Sequence, residues 1–189
     1  MRRYPLATLF CTTPAGMDAH LLPLSLCEAT GGACLQGHVA RTHALWTETA
    51  PDSDVLVVFQ SPNAYISPRW YVNGQHSGRL APSWNYAAVQ VRGRIRFVDD
   101  PAWLLTHLAA LTAAQENERP HPWALADAAP EFVQQAAQRL VGFEIEILEL
   151  TGKRFLSQQR TPADRRSVAV HLSQEASGAA RELAGLIPP

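Results

Sequence analysis

Residues 59–97 read FQSPNAYISPRWYVNGQHSGRLAPSWNYAAVQVRGRIRF, and the two halves of this stretch follow different rules. The end alternates. Val89, Val91, Ile95 and Phe97 fall on one side and Gln90, Arg92, Arg94 and Arg96 on the other, the period of a half-buried β-strand. Gly93, in mid-strand, predicts a bulge or the close approach of another backbone. The three arginines make either a solvated face or a basic stripe for a phosphate, an acidic partner or nucleic acid. The first half, 59–86, sets Trp70, Trp84, Tyr65, Tyr71 and Tyr86 among Asn, Gln, Ser and Pro, with hardly any continuous apolar run. Such a segment has too many hydrogen-bonding groups for an ordinary core element. Rigid rings beside amides and hydroxyls suit a flat heteroaromatic ligand.

Outward from this stretch, short apolar runs at 6–11, 19–26 and 33–39 predict three strands, with turns at the Pro-Ala-Gly of 14–16 and the Thr-Gly-Gly of 30–32. Residues 42–49 predict one or two helical turns. The unbroken Val-Leu-Val-Val-Phe within 54–60 predicts a central strand buried on both faces. Asp99-Asp100-Pro101 opens a helix with an acidic cap, its apolar face being Trp103, Leu104, Leu108 and Leu111. Pro130 opens another, carrying Phe132, Val133, Ala136 and Leu140 and ending before Gly142. Residues 141–150 alternate, Thr151-Gly152 predicts a turn, and 153–159 a further strand. Thr161-Pro162-Ala163-Asp164 starts a helix, and the remainder is helical. The pattern is mainly β with peripheral helices (α+β): residues 1–150 form a barrel-like sheet with inserted helices, completed by the strand and helices of 151–189.

With 189 residues, 47% hydrophobic and 17% charged, the chain is a folded protein and not a disordered one. A net charge of −1 argues against a globally basic nucleic-acid binder. No apolar run of about 18 residues could span a bilayer, and the broken start does not read as a signal peptide. Cys11, Cys27 and Cys34 are an odd set without a CxxC pair, which predicts buried thiols in a reducing cytoplasm. Cys34, His38 and His43 are spaced loosely enough that packing outweighs metal binding, and no metal site is expected.

Hydrolase, zinc-protease, P-loop and dinucleotide signatures are absent. Glu144 and Glu146 share one strand face and point to water. The block 153–160, KRFLSQQR, is more informative. Alternation would place Lys153, Phe155, Ser157 and Gln159 on one face and Arg154, Leu156, Gln158 and Arg160 on the other. Cations, a hydroxyl and amides within reach of one anion make a phosphate grip, against the plain alternative of a polar edge strand.

FQSPNAYISPRWY, then APSWNY with VRGRIRFVDDPAWL, then GKRFLSQQRTPADR, preceded by GHVARTHALW, resemble the blocks of the PaiB-type FMN-binding negative transcriptional regulators, over roughly residues 37–172. The resemblance implies a split β-barrel related to pyridoxamine-phosphate oxidase, a homodimer with FMN at the subunit interface, and a repressor role in which DNA is a possible partner. By matched position it implies flavin contacts from Arg41, His43, Gln60, Tyr65, Ser67, Trp70, Trp84, Asn85, Lys153, Ser157, Gln158 and Arg160. Ser83 and Gln159 stand where Thr and Asn are typical, and the family's Met-Tyr-x-Pro-like start and leading helix are not matched. A flavin-dependent oxidoreductase and a flavin-free ligand-sensing dimer are the alternatives.

Overall fold

A computed structural model describes the chain except Thr30, Gly31, Gly74, His76, Ser77 and Arg79. Parts of the predicted turn at 30–32 and of the segment 59–86 therefore lie outside the described residues. In order, the elements are β1 (Leu6–Thr13), β2 (Gly16–Pro23), β3 (Ser25–Ala29), β4 (Gly32–Ala40), α1 (Ala44–Glu48), β5 (Asp54–Gln60), β6 (Ala64–Ile66), β7 (Ser83–Val98), α2 (Pro101–Glu116), α3 (Pro130–Ala137), β8 (Leu140–Phe155), α4 (Pro162–Gln174) and α5 (Gly178–Ala184). The strands form one eight-stranded sheet ordered β2-β1-β5-β7-β8-β4-β3, with β6 added to β7. No helix among the described residues is long and apolar enough to cross a membrane.

The chain divides into two compact units, Met1–Phe59 with Gln90–Leu150, and Gln60–Val89 with Thr151–Pro189. The first encloses Leu9, Leu35, Val57, Val91, Ile95, Phe143 and Ile145. Here β7 keeps the predicted alternation, and Gly93 is the close approach: a Cβ there would collide with the carbonyl of Glu146 on β8. Gly142 is required for a similar reason, since its missing side chain is replaced by the indole of Trp103. The arginine face is solvated and paired, with Arg94 on Asp54 (3.5 Å), Arg96 on Glu144 (2.5 Å) and Arg92 on Glu149 (3.7 Å).

Several expectations change. The run at 19–26 is two strands, β2 ending at Pro23 and β3 starting at Ser25, with Leu24 between them. The strand β5 is not buried on both faces: Val55, Val57 and Phe59 are buried, while Leu56 and Val58 are only half-covered. Thr151-Gly152 makes no turn, since β8 runs through it to Phe155. Residues 156–160 then form turns, so the two-faced strand expected at 153–160 does not exist beyond Phe155. Cys27 and Cys34 face each other across β3 and β4, 5.4 Å apart at Cα, and are joined as a disulfide. Only Cys11 is a free thiol, which removes the argument from unpaired cysteines to a reducing compartment.

Candidate functional site

The second unit has its own core, built from Ile66 on β6, Tyr71, Leu156, Val168 and Leu172 on α4, and Ala180 and Leu183 on α5. Ten of the twelve residues expected at the flavin site lie in this unit: Gln60, Tyr65, Ser67, Trp70, Trp84, Asn85, Lys153, Ser157, Gln158 and Arg160. Two of them, Gln60 and Trp84, line one open cleft. Gln60, Ser61, Asn63, Trp84 and Tyr86 line a space of about 230 Å³, and Tyr65 stands edge-on to Trp84 with ring centres 6.2 Å apart. Trp84 and Tyr65 are 51% and 48% exposed, so both rings present open faces to a ligand. The indole of Trp84 donates to Asn63 Oδ1 at 2.9 Å, which fixes its plane. On Tyr86, Lys153 Nζ lies 5.7 Å from the ring centre, bringing a cation to the cleft's lining.

A second cation is placed by a different device. Arg160 lies with its guanidinium carbon 4.3 Å from the ring centre of Tyr71. The Tyr71 ring is held in the core, with its hydroxyl 3.2 Å from Ser83 Oγ. The Arg160 Nε is sealed from solvent and, among the described residues, has no hydrogen-bond partner. A buried donor left unmatched costs about 1–3 kcal/mol, so an acceptor reaching this guanidinium has something to satisfy. The chemistry fits a phosphate, which takes charge-assisted hydrogen bonds from a planar cation.

The turn that carries Arg160 is shaped by the remaining candidates. Ser157 adopts φ of 57°, an uncommon conformation for a residue with a Cβ. Its hydroxyl is buried against Asn85, whose Nδ2 donates to it at 2.9 Å. Gln158 folds back on its own turn, accepting from Leu156 N–H at 2.7 Å and donating to Arg154 O at 2.6 Å. The structure thus directs Asn85, Ser157 and Gln158 toward the protein. Ser67 caps the short turn Pro68–Trp70, and Trp70 stacks on His171 of α4, planes 13° apart.

Arg41 and His43 lie in the first unit. The Arg41 fork is occupied by both carboxylate oxygens of Asp99, and its Nε donates to Gln138 O at 2.9 Å. The hydrogen bond from Arg41 holds the Asp99 carboxyl below its ordinary range. His43 caps α1 by accepting from Leu45 N–H at 3.2 Å. Cys34, His38 and His43 go to three different partners: Cys27, His107 and the α1 cap.

Sequence reasoning missed Asp164 as anything beyond part of a helix start. Its carboxylate is buried and accepts from Val72 N–H at 2.7 Å, Asn73 N–H at 3.0 Å and the Thr161 hydroxyl at 3.0 Å. Burial alone would raise its pKa, but these hydrogen bonds and the Arg160 charge hold it below the ordinary value. Another cavity, about 540 Å³, lies in the first unit against Phe10, Met17, Leu56, Arg92 and Leu148. It contains none of the expected flavin contacts.

The fold expectation of a split β-barrel with peripheral helices is met by the antiparallel strand order and by the solved structures the chain resembles. The flavocytochrome Anf3 of Azotobacter vinelandii matches with a TM-score of 0.56 at 14% identity, covering 80% of this chain and 62% of that one. An FAD and heme binding protein of Mycobacterium smegmatis matches with a TM-score of 0.56 at 16% identity, covering 81% and 66%. The chain therefore spans less than two thirds of either structure's length. In sequence it is 30% identical over 166 residues to the "Protease synthase and sporulation protein PAI 2" of Bacillus subtilis, covering 88% of this chain and 77% of that protein. Residues 1–149 match the family model described as "Putative FMN-binding domain", a match that begins well before the motif blocks at residue 37. On that match the chain belongs to this family of FMN-binding domains, and the cofactor that membership supports is a flavin.

Proposed function

We propose that the second unit holds FMN, with the ring system against Trp84, Tyr65 and Tyr86 and the phosphate on Arg160 and Lys153. The observation that carries this reading is the Arg160 guanidinium, packed on Tyr71 with a buried Nε that is unmatched among the described residues. Trp84 and Tyr86 supply apolar faces, Gln60 and Asn63 supply amides, and Asn85, Ser157 and Gln158 shape the turn beneath Arg160. When bound, the flavin supplies one- or two-electron redox chemistry, and the chain supplies binding, orientation and exclusion of water.

The same reading includes a homodimer. Ligand sites for molecules of this size enclose about 300–1,000 Å³, more than the cleft of about 230 Å³ in a single chain. A second copy would complete it. The first unit also exposes Met17 (82%) and Leu21 (64%) on β2 and Leu148 on β8. Apolar groups left in water on a sheet face favour burial against another protein surface.

A regulatory role, as in the repressor family the chain resembles, is the finer part of the proposal. Direct DNA contact has little physical support. The arginines of β7 are matched by carboxylates, Arg165 is taken up by the carbonyls of Arg160, Pro188 and Pro189, and the net charge is −1. Regulation would then run through ligand occupancy or a partner protein. The test is titration of the purified protein with FMN, followed by absorbance and flavin fluorescence. Saturable binding is expected, and its absence up to tens of micromolar would overturn the reading. NADH or NADPH oxidation by the loaded protein would assign it instead to the reductases.

A further inference from the structure

The carboxylate of Asp164 and the guanidinium of Arg160 belong to one small network in the second unit. Asp164 Oδ1 receives two consecutive backbone N–H groups, Val72 at 2.7 Å and Asn73 at 3.0 Å. Its other oxygen receives the Thr161 hydroxyl at 3.0 Å, and that hydroxyl oxygen also accepts from Asn73 Nδ2 at 2.7 Å. The residues after Tyr71 are thereby tied to the first turn of α4, four residues beyond Arg160. Tyr71 is the platform on which Arg160 lies. Fixing Val72 and Asn73 fixes Tyr71 from one side, and fixing Thr161 fixes Arg160 from the other.

The carboxylate does this without neutralising the cation at close range. Among the described residues the Arg160 guanidinium makes no hydrogen bond or ion pair, whereas Arg165 in the same region is spent on carbonyls. A cation held in one geometry by its surroundings, with its donors unspent, binds an anion at lower ordering cost than a free surface arginine.

We propose that Asp164 is a positioning residue of the anion site: it locks Tyr71 and the 157–161 turn together, so that Arg160 presents its guanidinium to the ligand phosphate and the site selects the phosphorylated flavin over riboflavin. This rests on the flavin reading above. An apolar residue at 164 leaves two backbone N–H groups unmatched and frees the turn. Asn keeps an acceptor for them and restores most of the clamp.

The test compares wild type, Asp164→Ala and Asp164→Asn in two measurements. In the first, FMN and riboflavin are titrated separately. Asp164→Ala is expected to weaken FMN about tenfold while riboflavin changes less than about twofold, and Asp164→Asn to recover most of the FMN loss. In the second, without flavin, NMR follows hydrogen exchange of the Arg160 Nε–H, which is protected in wild type, exposed in Asp164→Ala and protected again in Asp164→Asn. Equal losses for both flavins in a folded Asp164→Ala protein, or unchanged Arg160 protection, would overturn the positioning role. Wild-type protein that binds neither flavin but shows the exchange pattern would sink the flavin reading and leave the clamp standing.

Discussion

Asn85 donates to the Ser157 hydroxyl at 2.9 Å in the interior of the second unit, and both side chains are almost wholly buried. Ser157 holds a left-handed backbone conformation, so this hydrogen bond pins β7 to the turn that carries Arg160. Asn85→Ala leaves a buried hydroxyl unmatched and opens a cavity, and is expected to cost about 2–3 kcal/mol. Ser157→Gly loses the same bond but relieves the backbone, and should cost about 1 kcal/mol less than Ser157→Ala. Urea unfolding of the three variants checks both statements. Equal midpoints for Ser157→Gly and Ser157→Ala would show that the left-handed turn stores no strain.

The anion site makes a separate prediction. Arg160→Met keeps apolar packing on Tyr71 and removes the charge, and Lys153→Ala removes the cation beside Tyr86. Each should weaken FMN by about tenfold and riboflavin by much less, because a charge-assisted hydrogen bond to phosphate contributes roughly 1.5–3 kcal/mol. Parallel losses for both flavins would place the effect on the ring pocket. Arg41→Met is the control. Its fork is already spent on Asp99, so it should shift stability and leave FMN affinity unchanged.

The strands were legible because alternation reports burial directly, as at Val91 and Ile95. Gly93 could be read as a close approach for the same reason. What failed were readings that extend local rules across a change of structure. The alternation at 153–160 continues on paper past Phe155, where the chain leaves the sheet, and so gives no sign that Ser157 meets Asn85 or that Gln158 folds back on its own turn. The Cys27–Cys34 pair depends on the register of β3 with β4, which spacing alone does not give. Asp164 was hidden by an adequate local explanation. A cap-like Asp in a helix's first turn needs no other role, and its bonds to Val72 and Asn73 come from 92 and 91 residues away.

Acid should destabilise the first unit through His38 and His107. The two imidazoles share a hydrogen bond of 3.2 Å between β4 and α2, with His107 stacked on Trp103. Burial, and then the neighbouring His38, push the His107 pKa down to about 4, and burial lowers His38 as well. The sign follows from the unfolded chain, which binds protons near pH 6.5 while the folded protein refuses them until about pH 4. Stability is therefore full above pH 6.5 and falls as pH drops toward 4, by on the order of 3 kcal/mol for His107 alone. Glu144, lowered by its bonds to Gln36, Arg96 and Trp103 despite burial, adds a loss of the same sign at the acid end. His107→Gln can still donate to His38 and removes one titrating group, so its melting temperature should vary less between pH 6.5 and 4. A wild-type profile that is flat over that interval would refute the assignment.

The cysteines give a chemical count. Protein denatured without reductant should expose one reactive thiol, Cys11, and after reduction three. The bridge closes a short loop, with a sequence separation of 7. Loop-closure entropy then gives it about 2–3 kcal/mol of stabilisation. Cys27→Ser with Cys34→Ser should lower the unfolding midpoint by that amount and leave FMN affinity unchanged. Three thiols before reduction would show that the two strands meet without the bond.

The homodimer can be tested where its interface would lie. Phe10, Met17, Leu56 and Leu148 come from β1, β2, β5 and β8, and all line the cavity of about 540 Å³ in the first unit. Met17 and Leu148 are among the most exposed large apolar side chains of the chain. A charge introduced there is solvated in a monomer and buried in a dimer, where an unpaired charge costs several kcal/mol. Leu148→Glu and Met17→Glu should each convert a dimer to a monomer in light scattering with little change in circular dichroism. If a second copy completes the flavin site, as proposed, the monomeric variants should also bind FMN more weakly. Variants that remain dimeric would move the interface to another face. Monomeric variants that bind FMN as tightly as wild type would show that each chain owns a complete site.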